Sequence, residues 1–429
     1  MYRLYNLLLI LLSPPLAIFL ALRLLRGKSK VGWEERWGKI PAFTAEAGGK
    51  RIWVHAASVG EVMAATPILE AYRKRRPLDR IILSVITPGG HEVATAQIGK
   101  TLDAVIYAPF DVPFAVRRAI RQIQPDLYIN LETEIWPNML HLMKQSGAKL
   151  ALVNGRISDK SLTSYRRFAP LFRWALSNFH FIMTQSDLDS ERYISIGADS
   201  KIVEKIGNAK FDQAVEMLSA EQVDQLKKDL GIETTWPVMV AGSTREAAEE
   251  KLVWESYLSA LKRVPNLALI HAPRHVDRAE ELRSEMVALG MTPILRTEVA
   301  SAILPNRQIV LNTFGELSRI YGIADLVFIG NSLTPPGGGQ NILQPLAHGK
   351  RTICGPYMQN FRDVVAMTEK TGAIRRVKTA EELATEILAA LDNREECESM
   401  GRAAQAMIEA NRGTSERVVD RLVRLVESA

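Results

Sequence analysis

An α/β protein built from two Rossmann-like domains is what the sequence predicts, and three observations carry that expectation. From about residue 50 onward, short dense apolar runs alternate with amphipathic helical stretches. Runs of that kind suit strands of a parallel sheet covered by helices on both faces. They fall into an earlier and a later series, separated by a charged helical stretch over 214–233. Finally, 429 residues are enough for two or three domains, each with a full core. A composition of 47% apolar and 24% charged residues is close to the globular average, which excludes a disordered, collagen-like or coiled-coil chain.

Taken in order, the chain begins with an uncharged stretch over 4–22 dominated by Leu, Ile, Phe and Ala. As a helix rising about 1.5 Å per residue, it would just cross a hydrocarbon core of about 30 Å. Pro14 and Pro15 would kink it, which membrane helices tolerate. Arg23, Arg26, Lys28 and Lys30 follow it, against only Arg3 before it, so the remaining chain is expected on the cytoplasmic side. No Ala-x-Ala cleavage site follows, which makes a removed signal peptide the poorer reading. A spanning helix and an in-plane anchor both fit, and residues 1–30 are expected to be an anchor with a basic flank.

Strands are expected over 52–57, 81–86, 105–108, 127–131, 150–153 and 181–184, then over 238–241, 267–271, 309–312, 326–329 and 352–354. This gives an N-terminal domain over 31–218 and a C-terminal domain over 219–429. A closing helix over about 398–428 is expected to pack back on the first domain. Cys354 and Cys397 have no disulfide-framework or metal spacing. The net charge of +6 fits an anionic substrate or a membrane surface as readily as nucleic acid. No nucleic-acid-binding motif accompanies it, so nucleic acid is not expected as a partner.

In such domains ligands sit where strands end and loops begin. The segment His55-Ala56-Ala57-Ser58-Val59-Gly60-Glu61 follows the first strand and sets Glu61 near the start of a helix. There Glu61 is either a general base or an ordinary first-turn acid, while His55 reads as a structural hydrogen-bonding histidine. Glu132 and Glu134 close the fourth strand ahead of Trp136-Pro137, where paired carboxylates tune each other's proton affinity or form caps and salt bridges. Lys210 could neutralise an anionic donor or be simply solvated. Gly242-Ser243 offers a possible phosphate turn, a weak signal by itself. Arg274, after Pro273, can pair its guanidinium fork with phosphate or carboxylate. Phe314, before Gly315 and Glu316, could flank a base. The run Pro336-Gly337-Gly338-Gly339-Gln340-Asn341-Ile342-Leu343-Gln344-Pro345 reads as a phosphate-and-sugar loop or a plain flexible one. No His/Asp/Cys grouping has metal-ligand spacing.

These segments, together with Asn154-Gly155-Arg156-Ile157-Ser158, resemble the bacterial Kdo transferases of lipopolysaccharide assembly over nearly the whole chain. Those enzymes move 3-deoxy-D-manno-octulosonic acid (Kdo) from CMP-Kdo to a lipid A precursor. The resemblance implies a GT-B fold, two Rossmann-like domains facing a central cleft. The acceptor site would lie in the N-terminal domain and the CMP-sugar site in the C-terminal one. It implies Glu61 as catalytic base, with Glu132 and Lys210 stabilising the transition state. It implies CMP contacts from Pro273, Arg274, Phe314, Gly315, Glu316, Asn341, Ile342, Leu343 and Gln344. An inverting, metal-independent transfer at the inner membrane follows from it, with CMP-Kdo a substrate, no cofactor, and inner membrane lipids and lipid IVA as partners. Gln340 and Gln344 depart from the family, which usually has His and Glu there, and Arg245 stands where His is common. Another GT-B glycosyltransferase with a different nucleotide sugar, or an inactive membrane-anchored lipid-binding homologue, are the alternatives.

Overall fold

The computed structural model describes residues 1–25, 31–41, 43, 48–213, 215–299 and 308–428. They form two compact units, Met1–Gln213 with Asn411–Ala429, and Ala214–Ala410.

The first unit is a parallel sheet of β1 (Arg51–His55), β2 (Arg80–Val85), β3 (Ala104–Tyr107), β4 (Leu127–Leu131), β5 (Lys149–Gly155), β6 (Phe181–Thr184) and β7 (Val203–Lys205). Its strand order is β3-β2-β1-β4-β5-β6-β7. Side chains alternate across the pleat. Ile52, Val54, Ile129 and Leu131 therefore pack under Val62, Ile68 and Leu69 of the Val59–Arg75 helix, while Trp53, Tyr128, Leu150 and Leu152 fill the opposite core. That two-sided burial is why the strands read as unbroken apolar runs. The order reverses between β1 and β4, and in such sheets the ligand crevice lies outside the strand C-termini at that reversal.

The second unit repeats the scheme with β8 (Val238–Thr244), β9 (Ala268–Pro273), β10 (Pro293–Leu295), β11 (Gln308–Val310), β12 (Leu326–Ile329), β13 (Arg351–Cys354) and β14 (Ile374–Arg376). The order is β10-β11-β9-β8-β12-β13-β14, with the reversal between β8 and β12. Strands β7, β10 and β14 were not anticipated from the sequence. Each is three residues long and lies at a sheet edge. With one partner and one covered flank, an edge strand accepts Glu204, Lys205, Arg375 and Arg376, or a leading Pro293, without an apolar run to betray it.

The C-terminal end of the chain corrects the sequence reading in two places. The closing helix is two helices, Arg394–Ala410 and Thr414–Glu427, broken at Gly413, whose φ of 80° suits glycine. Asp212 accepts the backbone N–H groups of Gly413 at 2.7 Å and Ser415 at 2.5 Å. Val418, Val419, Leu422 and Val426 enter the first unit's core. Residues 411–429 thus belong to the first unit, and the boundary falls between Gln213 and Ala214 rather than between 218 and 219. Among the described residues of the junction stretch only Ala220–Asp229 is helical, started by a capping box between Ser219 and Gln222.

At the other end, helix Tyr2–Leu25 is docked by its first turns. The Tyr5 hydroxyl donates to Asp111 at 2.9 Å, and Asn6 exchanges amide hydrogen bonds with Asn138 at 2.9 and 3.0 Å. Beyond that dock Leu7, Leu8, Ile10, Leu11 and Leu12 are exposed. The basic residues Arg26, Lys28 and Lys30, and the side chain of Arg23, lie outside what the structure describes. Among the described residues no helix is long and apolar enough to cross a membrane.

Candidate active site

The reversal point of the first sheet gathers the charged residues expected there. Glu61 sits in the first turn of the Val59–Arg75 helix. Its carboxylate accepts from the Ala57 N–H at 2.7 Å and the Ser58 hydroxyl at 3.1 Å. Burial pushes its carboxyl up to about 8, the charges of Glu132 and Glu134 adding to the rise, against those two hydrogen bonds. A carboxyl tuned near the working pH is what general base catalysis needs.

Glu132 follows β4 in the left-handed region, φ 51°, an uncommon conformation for a residue with a side chain. Its N–H donates to the Val153 carbonyl at 3.0 Å and its carbonyl accepts from the Tyr193 hydroxyl at 2.8 Å. So held, the buried carboxylate lies 3.3 Å from Lys210 Nζ and 3.0 Å from Arg156 Nε. The end of β5 places both cations. Arg156 follows its last residue, and Asn154, also at positive φ, accepts the Ala209 N–H at 3.1 Å to seat the turn carrying Lys210. Glu134 accepts from Trp136 Nε1 at 2.8 Å, and burial raises its carboxyl above the usual range. Buried His55 is tied through Nδ1 to Ser84 Oγ at 2.9 Å, and burial lowers it to about 4, so it is neutral. Nothing in the sequence singles out Arg156 from its neighbours. Its pairing with Glu132 spans β4 and β5, and no local spacing reveals it.

The residues expected on the nucleotide side follow several strand ends of the second unit. Gly242 and Ser243 are the end of β8, where a strand–helix turn was expected. Gly242 is small because a Cβ there would lie 2.0 Å from the Tyr321 hydroxyl oxygen, and Ser243 takes φ 58°. Pro273 ends β9, and exposed Arg274 donates its backbone N–H to the Thr244 carbonyl at 2.7 Å. Phe314 is 83% exposed ahead of Gly315, whereas Glu316 is engaged by Arg296 at 3.2 Å and Thr313 at 2.6 Å. Ile342 and Leu343 have buried side chains, the Leu343 N–H donates to Asn341 Oδ1 at 2.9 Å, and Gln344 is half-buried.

The sequence reading missed the acids that hold these loops. Glu249, fully buried, accepts backbone N–H groups from Asn331 at 2.6 Å, Ser332 at 2.8 Å and Leu333 at 2.8 Å. Asn331 in turn donates to the Gly337 carbonyl at 3.1 Å and accepts the Gly339 N–H at 2.7 Å, which fixes the glycine loop. Glu250 takes the Thr244 hydroxyl at 3.0 Å and Arg278 at 3.0 Å. In sequence both look like ordinary first-turn acids of the Ala247–Leu261 helix. No group of three His, Cys, Asp or Glu is placed to hold a metal among the described residues.

Comparison with known proteins bears on both units. Residues 31–213 match the family model described as 3-deoxy-D-manno-octulosonic-acid transferase, and residues 269–407 match glycosyl transferases group 1. The 3-deoxy-D-manno-octulosonic acid transferase of Haemophilus influenzae is 31% identical over 382 residues, covering 88% of this chain and 87% of that one. Its counterpart from Bordetella pertussis is 29% identical over 404 residues, 90% of each chain. A glycosyltransferase crystal structure from Rickettsia africae superposes with a TM-score of 0.60 at 14% identity, over 89% of this chain and all of that one, a likeness of fold.

Proposed function

The chain belongs to the 3-deoxy-D-manno-octulosonic-acid transferase family, and from that premise we propose that it moves Kdo from CMP-Kdo to a hydroxyl of a lipid A precursor. It is a glycosyltransferase of the GT-B class acting with Kdo in lipopolysaccharide core assembly. The observation that carries the mechanism is the Glu61 carboxyl, raised to about 8 beside a Glu132 braced by Lys210 and Arg156. Glu61 takes the proton of the acceptor hydroxyl as that oxygen attacks the anomeric carbon. CMP leaves as the glycosidic bond forms, with inversion. Lys210 and Glu132 stabilise the charge that develops. Arg274, Phe314, Gly315, the engaged Glu316 and the loop Asn341 to Gln344 hold the CMP moiety, and the positive charge comes from protein side chains without a metal.

Mass spectrometry of the product formed from CMP-Kdo and tetraacyl lipid A precursor tests the reading, with EDTA in a parallel arm. Transfer with CMP release, unchanged by EDTA, is expected. Release of UDP from a UDP-sugar instead, or acceptor binding with no donor consumed, would overturn it.

The exposed leucines of the Tyr2–Leu25 helix support attachment at the inner membrane face. Leu7, Leu8, Leu11 and Leu12, each about half to two-thirds exposed, gain roughly 1 kcal/mol or more apiece on entering lipid. Replacing all four with Ser, while keeping the docked Tyr5 and Asn6, is expected to move the protein to the soluble fraction with activity retained on detergent-dispersed acceptor. Retention on membranes at high salt would assign the anchor to another surface.

Gln344 stands where the family usually carries Glu. A hydrogen bond to a charged acceptor is worth roughly 1.5–3 kcal/mol against about 1 for a neutral one. Gln344→Glu is therefore expected to tighten CMP binding by about a few-fold to thirtyfold, and Gln344→Ala to weaken it. Calorimetry with CMP decides, and unchanged affinity in both variants would remove Gln344 from the donor site.

A further inference from the structure

Beside the carboxylates of the first unit lies a cavity of about 130 Å³ that the mechanism leaves unused. Ile86, Phe110, Tyr128, Trp136 and Met139 line it, together with His55. His55 is 2% exposed, and its Nε2 has no hydrogen-bond partner because Ser84 occupies only Nδ1. The nearest carboxylate oxygen, on Glu134, is 4.0 Å from Nε2, beyond hydrogen-bond reach. A buried ring nitrogen left unpaired is costly, and a ligand that completes it removes the cost. An apolar cavity of about 150 Å³ is known to stay dry and take up benzene, so this one suits a short apolar segment better than water.

What surrounds the cavity says what enters it. Asp111 in its wall is the residue that docks Tyr5 of the first helix, and from that dock the helix carries Leu4, Leu7, Leu8, Leu11 and Leu12 exposed. Phe110, also in the wall, packs on Trp37 at 5.1 Å, and Trp37 stacks on the exposed Phe114 at 5.4 Å. The wall also carries Asp111, whose carboxylate accepts from the Tyr5 hydroxyl and the Asn138 and Met139 N–H groups, and Arg36, which donates to the Ile86 carbonyl at 2.7 Å. With those charges engaged by the protein and His55 Nε2 left without a partner, the mostly apolar hole fits an alkyl chain bearing a hydroxyl or amide.

We propose that this cavity is a subsite for one alkyl chain of the acceptor, with His55 Nε2 hydrogen-bonding a polar group on that chain. This rests on the reading of the acceptor as an acylated sugar. The subsite sets the chain against the cluster of Glu61, Glu132 and Glu134, so that anchoring the chain presents the sugar to the base.

N-dodecanoyl-glucosamine, used below its micelle concentration, is the probe, with glucosamine as control. Calorimetry on the full chain is expected to show binding of the acylated sugar that Ala108→Leu and Ile86→Trp, which fill the cavity, weaken at least tenfold. Ile86 is partly exposed, so its variant folds even where the Ala108 variant does not. The ring ¹⁵N resonance of His55 is expected to move on titration with the acylated probe and to stay still with glucosamine. In transfer assays the filled variants raise KM for an acylated acceptor at least tenfold more than for its de-acylated form. Equal binding of the probe by wild type and filled variants would overturn the subsite while leaving the transfer reading intact. Loss of probe binding in the variants, with no Kdo transfer by wild type, would uphold the subsite and overturn the transfer reading.

Discussion

Glu61→Gln is expected to lose transfer by about 10²–10⁴-fold, the usual worth of a positioned general base. An amide of the same shape keeps the packing and the hydrogen bond from Ala57 but cannot take the acceptor's proton. In the wild type, kcat/KM is expected to rise about tenfold per pH unit below about 8 and to level off above it, because the base is active only when ionised. The residual activity of the variant should lack that limb. Stability gives a second readout with a definite sign. The folded-state carboxyl is raised to about 8 from an ordinary 4.5, so between those values the folded protein holds a proton that the unfolded chain releases. The stability this group contributes is complete below about 4.5 and is lost as the pH rises through about 8. Removing the ionisation removes that loss, so Glu61→Gln should melt above wild type at pH 9 by a wider margin than at pH 6. Scanning calorimetry at the two pH values checks it. Near wild-type turnover with saturating donor would remove Glu61 from the base role.

The parts of this site legible in sequence are those that one strand end writes locally. Glu61 lies a short turn beyond β1, and Glu132 directly follows β4. Parallel strands buried on both faces announce themselves as apolar runs, so the positions of these acids could be read before any sheet order was known. The order itself, which brings β1 beside β4 and so Glu61 into the field of Glu132, depends on pairing across the chain. For the same reason the Arg156–Glu132 ion pair, and the Glu249 carboxylate under the Asn331–Leu333 turn, could not be read locally. Both join segments whose separation in sequence carries no spacing rule. The division of the closing helix was hidden differently. Thr414–Glu427 continues an amphipathic pattern begun upstream, and only Gly413 marks where the chain leaves one unit for the other. Periodicity reports which face is apolar, not which core receives it.

Lys210→Met is expected to lower both stability and activity, and the two losses can be separated. Glu132 is 8% exposed at its side chain and Lys210 11%, so the pair is largely withdrawn from water. Removing one partner of a buried pair costs about 3–5 kcal/mol when the remaining charge is uncompensated. Arg156, 3.0 Å from the other carboxylate oxygen, keeps partial compensation, so a loss of about 1–3 kcal/mol is expected by chemical denaturation. Turnover should fall about 10²–10³-fold, as when a preorganised electrostatic group is removed from a transition state. Glu132→Gln moves the rising limb of kcat/KM below about 8, since the Glu132 charge is among the causes that raise Glu61. The double variant Lys210→Met/Glu132→Gln carries neither buried charge, so its stability should return towards wild type while turnover stays low. A role confined to structure predicts the opposite pairing, with turnover recovering alongside stability. If the double variant regained both, Lys210 would be a brace for Glu132 alone, and the developing charge would have to be met by Arg156.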